Sequence, residues 1–447
     1  MQWIKLPLLC SLALVLIARV SAAGTSEPGP SKVELRQIDG RWQVYVNHKP
    51  FYIKGAGLEF GDPKRLAAHG GNSFRTWRTD NGQDTGQQVL DRAWASGLYV
   101  TMGLDLARER QGFNYSDKAA VARQFEDVKR QVLQYKDHPA LILWAIGNEL
   151  NLNANNPAVW DAVNDISKMI HQLDPNHLTL TPLSGFSTEL IRTVRARAPD
   201  LDLVGIQMYG DIVNLPRYLR ASGYEGPYIV SEWGATGHWE SPATAWRAPI
   251  ENNSTTKAND YLSRYQNVIA ADTNQCVGSY AFLWGQKQER TPTWYGVFLK
   301  SGEETAAVDV LHYLWSGQWP ANRSPKLGGV WLDGKTAYEN VHLKAGDDYP
   351  ARVSAEDPDG DPLTYRWVVM DESTARTTGG DFEPEPKTWK GLIQRPASRD
   401  IVLTAPPKTG AYRLFAYVFD GNGHAACANI PFYVDPSHDA SASNSQK

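Results

Sequence analysis

LILWAIGNE, residues 141–149, decides the fold. Six apolar residues run without polar alternation, which reads as a strand buried on both faces. A polar pair, Asn148-Glu149, ends the run. An amphipathic stretch of helical period follows at 157–173, and Asp174-Pro175-Asn176 stops it. The same unit recurs in both directions along the chain. Strand candidates lie at 51–58, 72–77, 98–106, 141–149, 178–185, 203–210, 228–235 and 276–285. Helix candidates lie between them at 86–97, 117–137, 157–173, 187–198 and 257–272, and one more follows at 303–316. Eight strands, each with room for a helix, match an α/β chain closed as a (β/α)8 TIM barrel in count and size. An open doubly wound sheet is the alternative. Eight units, with polar residues gathered at the C-terminal strand ends, favour the barrel.

Before the barrel, 33–46 alternates around Asp39-Gly40, a hairpin signal. After Trp319-Pro320 the helical period disappears. Residues 327–435 carry alternating strands such as YRWVVM and YRLFAYVFD, with turns at 357–361 and 420–423. They read as a small all-β immunoglobulin-like sandwich. The barrel domain with its hairpin is therefore placed at 33–320. Residues 24–32 read as a flexible lead-in and 436–447 as a disordered tail. Such a module acts as a spacer, a wall contact or a sugar binder, and a chain ending near Ser324 is expected to keep the activity of the barrel on small substrates.

Residues 1–23 have the layout of a secretory signal peptide: Lys5, an apolar run from Leu6 to Ala18, then Ser21-Ala22-Ala23. The run is shorter than the ~20 residues a spanning helix needs. A secreted or periplasmic protein is expected, with no membrane insertion after cleavage. Removing the segment takes away Cys10 and leaves Cys276 and Cys427, expected as buried thiols in different domains.

The 447 residues are 42% hydrophobic and 21% charged with net charge −4, which excludes a basic nucleic-acid footprint. His-x-His, HExxH, a Cys pair at metal spacing and a Gly-x-Ser-x-Gly elbow do not occur. No metal or cofactor is expected. Asp357, Asp359 and Asp361 are spaced either for Ca²⁺ or for an ordinary acidic turn. The 16 Trp and 20 Tyr fill a core, line a site for a ligand with flat apolar faces, or do both.

In a barrel the C-terminal strand ends face the active site. Glu59, Arg75, Asp105, Asn148, Glu149, Tyr209, Glu232 and Trp284 fall there. Glu149 and Glu232 end the fourth and seventh strands, across the mouth from each other. Paired carboxylates across a cleft suit glycosidic cleavage, one protonated to donate to the leaving oxygen, the other ionised to attack or to activate water. Trp faces complement the C–H faces of sugars, and Arg, Asn, Gln and Tyr bond their hydroxyls. Trp77, Trp233, Trp239, Trp294 and Tyr295 are further platform candidates. His238 and Glu240 sit in the loop after the seventh strand. Gln286 and Lys287 follow Trp284 closely enough to reach substrate.

At these residues the chain resembles clan A of the glycoside hydrolases, and in texture the TIM barrel of glycoside hydrolase family 2. Asn72-Ser-Phe-Arg75 matches that family's Asn-x-x-Arg. Gly147-Asn148-Glu149 matches its strand-four Asn-Glu, and Ser231-Glu232-Trp233-Gly234 its strand-seven Ser-Glu-aromatic-Gly. Gln207-Met-Tyr209 stands where several clan members place His-x-Tyr. The resemblance covers about residues 33–317. It implies Glu149 as acid/base, Glu232 as nucleophile, Asn148 on the sugar 2-hydroxyl and Trp284 as the floor of the attacked sugar's subsite. Arg75 near Glu232 would keep that carboxylate ionised, Tyr209 would bond it, and burial beside a charged Glu232 would raise the Glu149 pKa. The expected partner is a carbohydrate, and the expected enzyme an exported retaining β-glycosidase. A β-glucan transglycosylase and an inactive carbohydrate-binding barrel are the alternatives.

Overall fold

A computed structural model describes residues 29–436. The expected signal at 1–23, most of the lead-in at 24–32 and the tail from residue 437 lie outside the described residues. Among the described residues, no helix is long and apolar enough to cross a membrane.

Eight parallel strands close into a barrel. In chain order they are Ile53–Gly57, Ser73–Arg75, Tyr99–Leu104, Leu141–Ile146, Leu178–Ser184, Leu203–Gln207, Tyr228–Trp233 and Cys276–Ala281. The first and eighth strands pair through Ala56 and Ala281, which completes the closure. One helix follows each strand: Pro63–Ala68, Gly86–Ala95, Lys118–Tyr135, Ala158–Leu173, Thr188–Arg197, Leu215–Ser222, Ser254–Arg264 and Ala306–Ser316. Local chemistry sets several of their starts. Thr85 and Gln88 form a reciprocal capping box. Asp117, Ser187 and Asn253 each accept from backbone N–H groups of the first turn. The two helices not foreseen, Pro63–Ala68 and Leu215–Ser222, are too short to show a helical period.

The hairpin forms as expected, from Val33–Ile38 and Arg41–Val46. Asp39 and Gly40 both have positive φ (50° and 79°), which a tight two-residue turn requires. Its Val33, Val44 and Val46 pack with Ile53, Ile142, Leu203, Ile229 and Val277, which lie at the N-terminal strand ends. The hairpin therefore plugs the bottom of the barrel and leaves the C-terminal end as the open mouth.

The C-terminal region forms two antiparallel-rich sheets of four and five strands. Val353 and Leu403 of one sheet share a core with Val369, Leu414 and Ile430 of the other. Within the acidic turn, Asp357 Oδ1 accepts from the N–H groups of Asp359 (2.9 Å) and Asp361 (3.1 Å).

These sheets are joined to the barrel by a buried seam, so a simple spacer does not describe them. Leu299 of the barrel packs with Met370, Phe415, Tyr417 and Cys427. Glu251, 6% exposed, accepts from Lys257 (2.5 Å) and Thr291 (2.6 Å) of the barrel and from Asn429 (2.6 Å) of the sheets. Burial alone would raise the Glu251 pKa, but Lys257 and these donors hold it below the usual carboxylate value. Arg413, 1% exposed, donates to Glu372 (2.7 Å), Asn429 (2.6 Å) and the Pro249 carbonyl (2.8 Å). Cys276 and Cys427 are both free and buried.

Candidate active site

The mouth opens on a cavity of about 870 Å³, within the roughly 300–1,000 Å³ common for small-molecule sites. Glu149 and Glu232 both line it. Glu232 is the penultimate residue of the seventh strand, Tyr228–Trp233, whose residues are all buried, so its carboxylate is held on a rigid support.

Four side chains from the ends of two strands, the second and the sixth, converge on that carboxylate. Oε1 accepts from Arg75 Nη1 (2.7 Å), Trp77 Nε1 (2.8 Å) and Gln207 Nε2 (2.9 Å). Oε2 accepts from the Tyr209 hydroxyl (3.0 Å). Arg75 is fully buried, and its guanidinium also donates to Asn148 Oδ1 (2.5 Å). Gln207 bonds the same Asn148 oxygen at 2.9 Å. Arg75 and Gln207 thus tie the fourth and seventh strand ends together. Asn148 Oδ1 is taken up by these two bonds, which directs its amide nitrogen to other partners. Burial, then the charge of Glu232, raises the Tyr209 pKa well above its ordinary value, so Tyr209 remains a phenol that can donate.

Glu149 occupies a different environment. Its backbone has φ of 49°, a left-handed conformation uncommon for a residue with a side chain. Gly147, two residues earlier, also has positive φ, at 70°. The two positions make the sharp turn that lifts Glu149 off the strand. Burial first, and the charge of Glu232 second, push the Glu149 pKa up to about 7, against opposing pulls from Ser184, Arg110 and Arg75. One carboxyl therefore takes four donors, while the other keeps its proton up to about neutral pH. That is the division of labour paired carboxylates need for acid catalysis and nucleophilic attack.

Of the expected site residues, Arg75, Trp77, Asn148, Glu149, Gln207, Tyr209 and Glu232 form this one cluster. Glu59 and Asp105 stand on the cavity rim, where Arg78 (2.6 Å) and Arg108 (3.1 Å) bond them. His238 also lines the cavity, and burial, followed by the charge of Arg290, lowers its pKa to about 4. It is a neutral imidazole at neutral pH. Trp239, 60% exposed, is a free aromatic face at the mouth. Glu240 instead accepts backbone N–H groups of Gly210, Asp211 and Gly237 and so fixes two loops.

Trp284 is a correction. It is fully buried, and its ring packs against His69, Phe298 and Trp315 away from the cavity. The eighth strand ends at Ala281; the Trp284 backbone N–H donates to the Gly57 carbonyl and its indole N–H to the Asp62 carbonyl, which holds the ring toward the outer helices. Phe282 and Leu283 stand at the cavity in its place. Phe282 packs edge-on to Trp77, Tyr209 and Tyr295, so an aromatic wall does exist, built from neighbours of the expected residue. Trp294 lies behind it, 2% exposed, and Trp233 is fully buried against Tyr261 and Tyr265, away from the cavity. Arg78, Arg110, Arg290 and residues 376–382 of the C-terminal sheets also line the cavity, and the sequence reading did not single them out. Only the length of the 372–387 connection hinted at it, since loops beyond roughly 12–15 residues are uncommon in compact domains and often functional.

The family model "Glycosyl hydrolases family 2, TIM barrel domain" matches residues 62–291. Among solved structures, a β-glucuronidase of Bifidobacterium dentium complexed with coumarin-3-O-glucuronide superposes with a TM-score of 0.50. Its identity is 17%, over 64% of this chain and 49% of that one. A β-glucuronidase of Bacteroides uniformis gives 0.45 at 15% identity, over 91% of this chain and 48% of that one. A glycoside hydrolase family 5 mannosidase of Rhizomucor miehei gives 0.48 at 14% identity, over 63% and 96%. The chain thus spans about half the length of the β-glucuronidases it matches.

Proposed function

Since the chain belongs to glycosyl hydrolase family 2, we propose that it is an exported retaining β-glycosidase acting on a β-linked oligo- or polysaccharide. The observation that supports this most is the contrast between the two carboxyls: Glu232 bound by four donors, Glu149 pushed up to about 7. Glu232 is the nucleophile. Its Oε2, which takes only the Tyr209 bond, attacks the anomeric carbon. The bond from that carbon to the leaving oxygen breaks as Glu149 gives the oxygen its proton. Glu149, now a carboxylate, takes a proton from water. The oxygen of that water attacks the same carbon and releases Glu232. Asn148, fixed by Arg75 and Gln207, offers its amide nitrogen to the sugar 2-hydroxyl. An inactive binding barrel is disfavoured because both carboxyls and their supporting donors are in place.

Glu232→Ala tests the reading with aryl β-glycosides, a panel that includes glucosides, mannosides and glucuronides. The variant should lose at least about 10³-fold in kcat, an expectation scaled to losses seen when catalytic groups are removed. Added azide should restore turnover and yield a glycosyl azide on the face opposite the departed aglycone. A variant as active as the wild type overturns the assignment.

A further inference from the structure

The C-terminal sheets send one connection across the barrel mouth. Residues 372–387 join strands Thr364–Asp371 and Thr388–Trp389. The segment does not turn straight back between them. Its base is clamped at the eighth-strand loop: Arg290 N–H donates to Glu383 Oε2 (2.8 Å), and the Arg290 side chain bonds the Ala375 carbonyl. Glu383, 3% exposed, also accepts from Thr377 (2.6 Å). Lys287 Nζ donates to the Gly380 carbonyl at 2.7 Å.

The tip reaches the loops after the third and fourth strands, opposite the eighth in the barrel order. Gln111 Nε2 donates to Asp381 (3.1 Å), and Arg110 Nη2 to the Gly379 carbonyl (3.3 Å). Gly379 and Gly380 have φ of 63° and 75°. A Cβ on Gly379 would lie 2.7 Å from Arg110 Nη2 and 2.8 Å from Leu152 Cδ2. Glycine is what lets the backbone seat here. The segment is a strap anchored on both rims, and its residues 376–382 line the same cavity as Glu149 and Glu232.

The tip of the strap lies on the Glu149 side of the cavity. Gly379 packs against Leu152, three residues beyond Glu149, and Arg110, which holds the strap, also acts on the charge of Glu149. The leaving oxygen must sit at Glu149, because that is where the proton is delivered. Whatever departs with that oxygen lies under the strap. Three observations describe what fits there. Arg376 is an exposed cation on the cavity lining. Phe382, 84% exposed, offers an aromatic face. Arg110 has a side chain only 6% exposed, yet its Nε and Nη1 have no hydrogen-bond partner among the described residues. Orphaned buried donors are costly, and an oxygen-rich ligand seated beside the strap would supply acceptors for them.

We propose that strap residues 376–382 form the leaving-group subsite, with Arg376 and Phe382 as specificity-determining residues for a carbohydrate leaving group. The natural substrate is then a β-linked oligosaccharide or longer chain, in preference to a monosaccharide on a small aglycone. This rests on the glycosidase reading above. An aromatic face stacks on a pyranose, and the guanidinium bonds its hydroxyls.

The test compares wild type with an Arg376→Ala/Phe382→Ala double variant, both positions being exposed. kcat/KM is measured on an aryl β-glycoside and on a β-linked tetrasaccharide of the same sugar. The ratio of tetrasaccharide to aryl kcat/KM should fall at least about tenfold, mainly through KM for the tetrasaccharide. Partial unfolding lowers both substrates alike and leaves the ratio alone. A ratio unchanged within about twofold overturns the proposal. If the wild type turns over no glycoside, the glycosidase reading fails, and calorimetry with the tetrasaccharide decides the strap separately. Weaker binding by the variant then supports the subsite, and equal binding overturns it.

Discussion

Burial and the neighbouring charge of Glu232 set Glu149 apart, with a pKa of about 7. The sign of the consequence follows directly. A carboxyl whose pKa is raised is protonated below that value, and the acid step needs the protonated form. kcat/KM should therefore hold through weakly acidic pH and decline as pH rises through about 7. A pH–rate profile checks this, and a value still flat at pH 9 contradicts the role. Most of this cluster was legible in the sequence. Arg75, Asn148, Gln207, Glu232 and the others sit at or just beyond strand ends, and strand ends converge in a barrel. Trp284 departs from its expected place because the apolar run 276–285 looks like one strand throughout. The strand stops at Ala281, and each residue beyond it follows loop geometry, which periodicity does not report.

At the scale of elements, the alternation of apolar runs and amphipathic stretches was enough to locate all eight barrel strands. Each run is flanked by polar or turn-forming residues, and the strands are buried on both faces, so the contrast is sharp. The six long helices were equally visible, since their period spans several turns. Pro63–Ala68 and Leu215–Ser222 were not, because a helix of one or two turns shows no period. Their start signals, Asp62 before Pro63 and Pro216 in the first turn, are local chemistry that a period search passes over. Beyond the length of its connection, the strap was illegible for a different reason. Its partners Arg110, Leu152 and Lys287 are far away in sequence, and nothing local marks Gly379-Gly380 as a close-packed seat.

At the scale of the whole molecule, the barrel and the C-terminal sheets share a buried seam and a cavity wall. A chain ending near Ser324 would strip Leu299 of Phe415 and Tyr417, and Glu251 of Asn429. Removing one partner of a buried charged group costs roughly 1–3 kcal/mol or more, and uncovering several apolar side chains adds about 1.5–3 kcal/mol for each one fully exposed. These losses rival the total stability of a typical domain, about 5–15 kcal/mol. The truncated chain should be insoluble or should melt well below the full chain, and the full chain should unfold in one cooperative transition. Thermal unfolding of both checks this. A truncated chain that melts with the full one contradicts the seam's importance.

If Glu232 is the nucleophile, a covalent glycosyl-enzyme forms on it and can be trapped. Wild-type protein is incubated with a 2-deoxy-2-fluoro β-glycoside bearing an activated leaving group, chosen for the sugar the enzyme cleaves. Fluorine slows breakdown of the glycosyl-enzyme, so the adduct accumulates and peptide mass spectrometry locates it. A single added sugar on the peptide containing Glu232 is the predicted result, with loss of activity in step with labelling. An adduct on any other residue, or steady turnover of the inhibitor without an adduct, contradicts it.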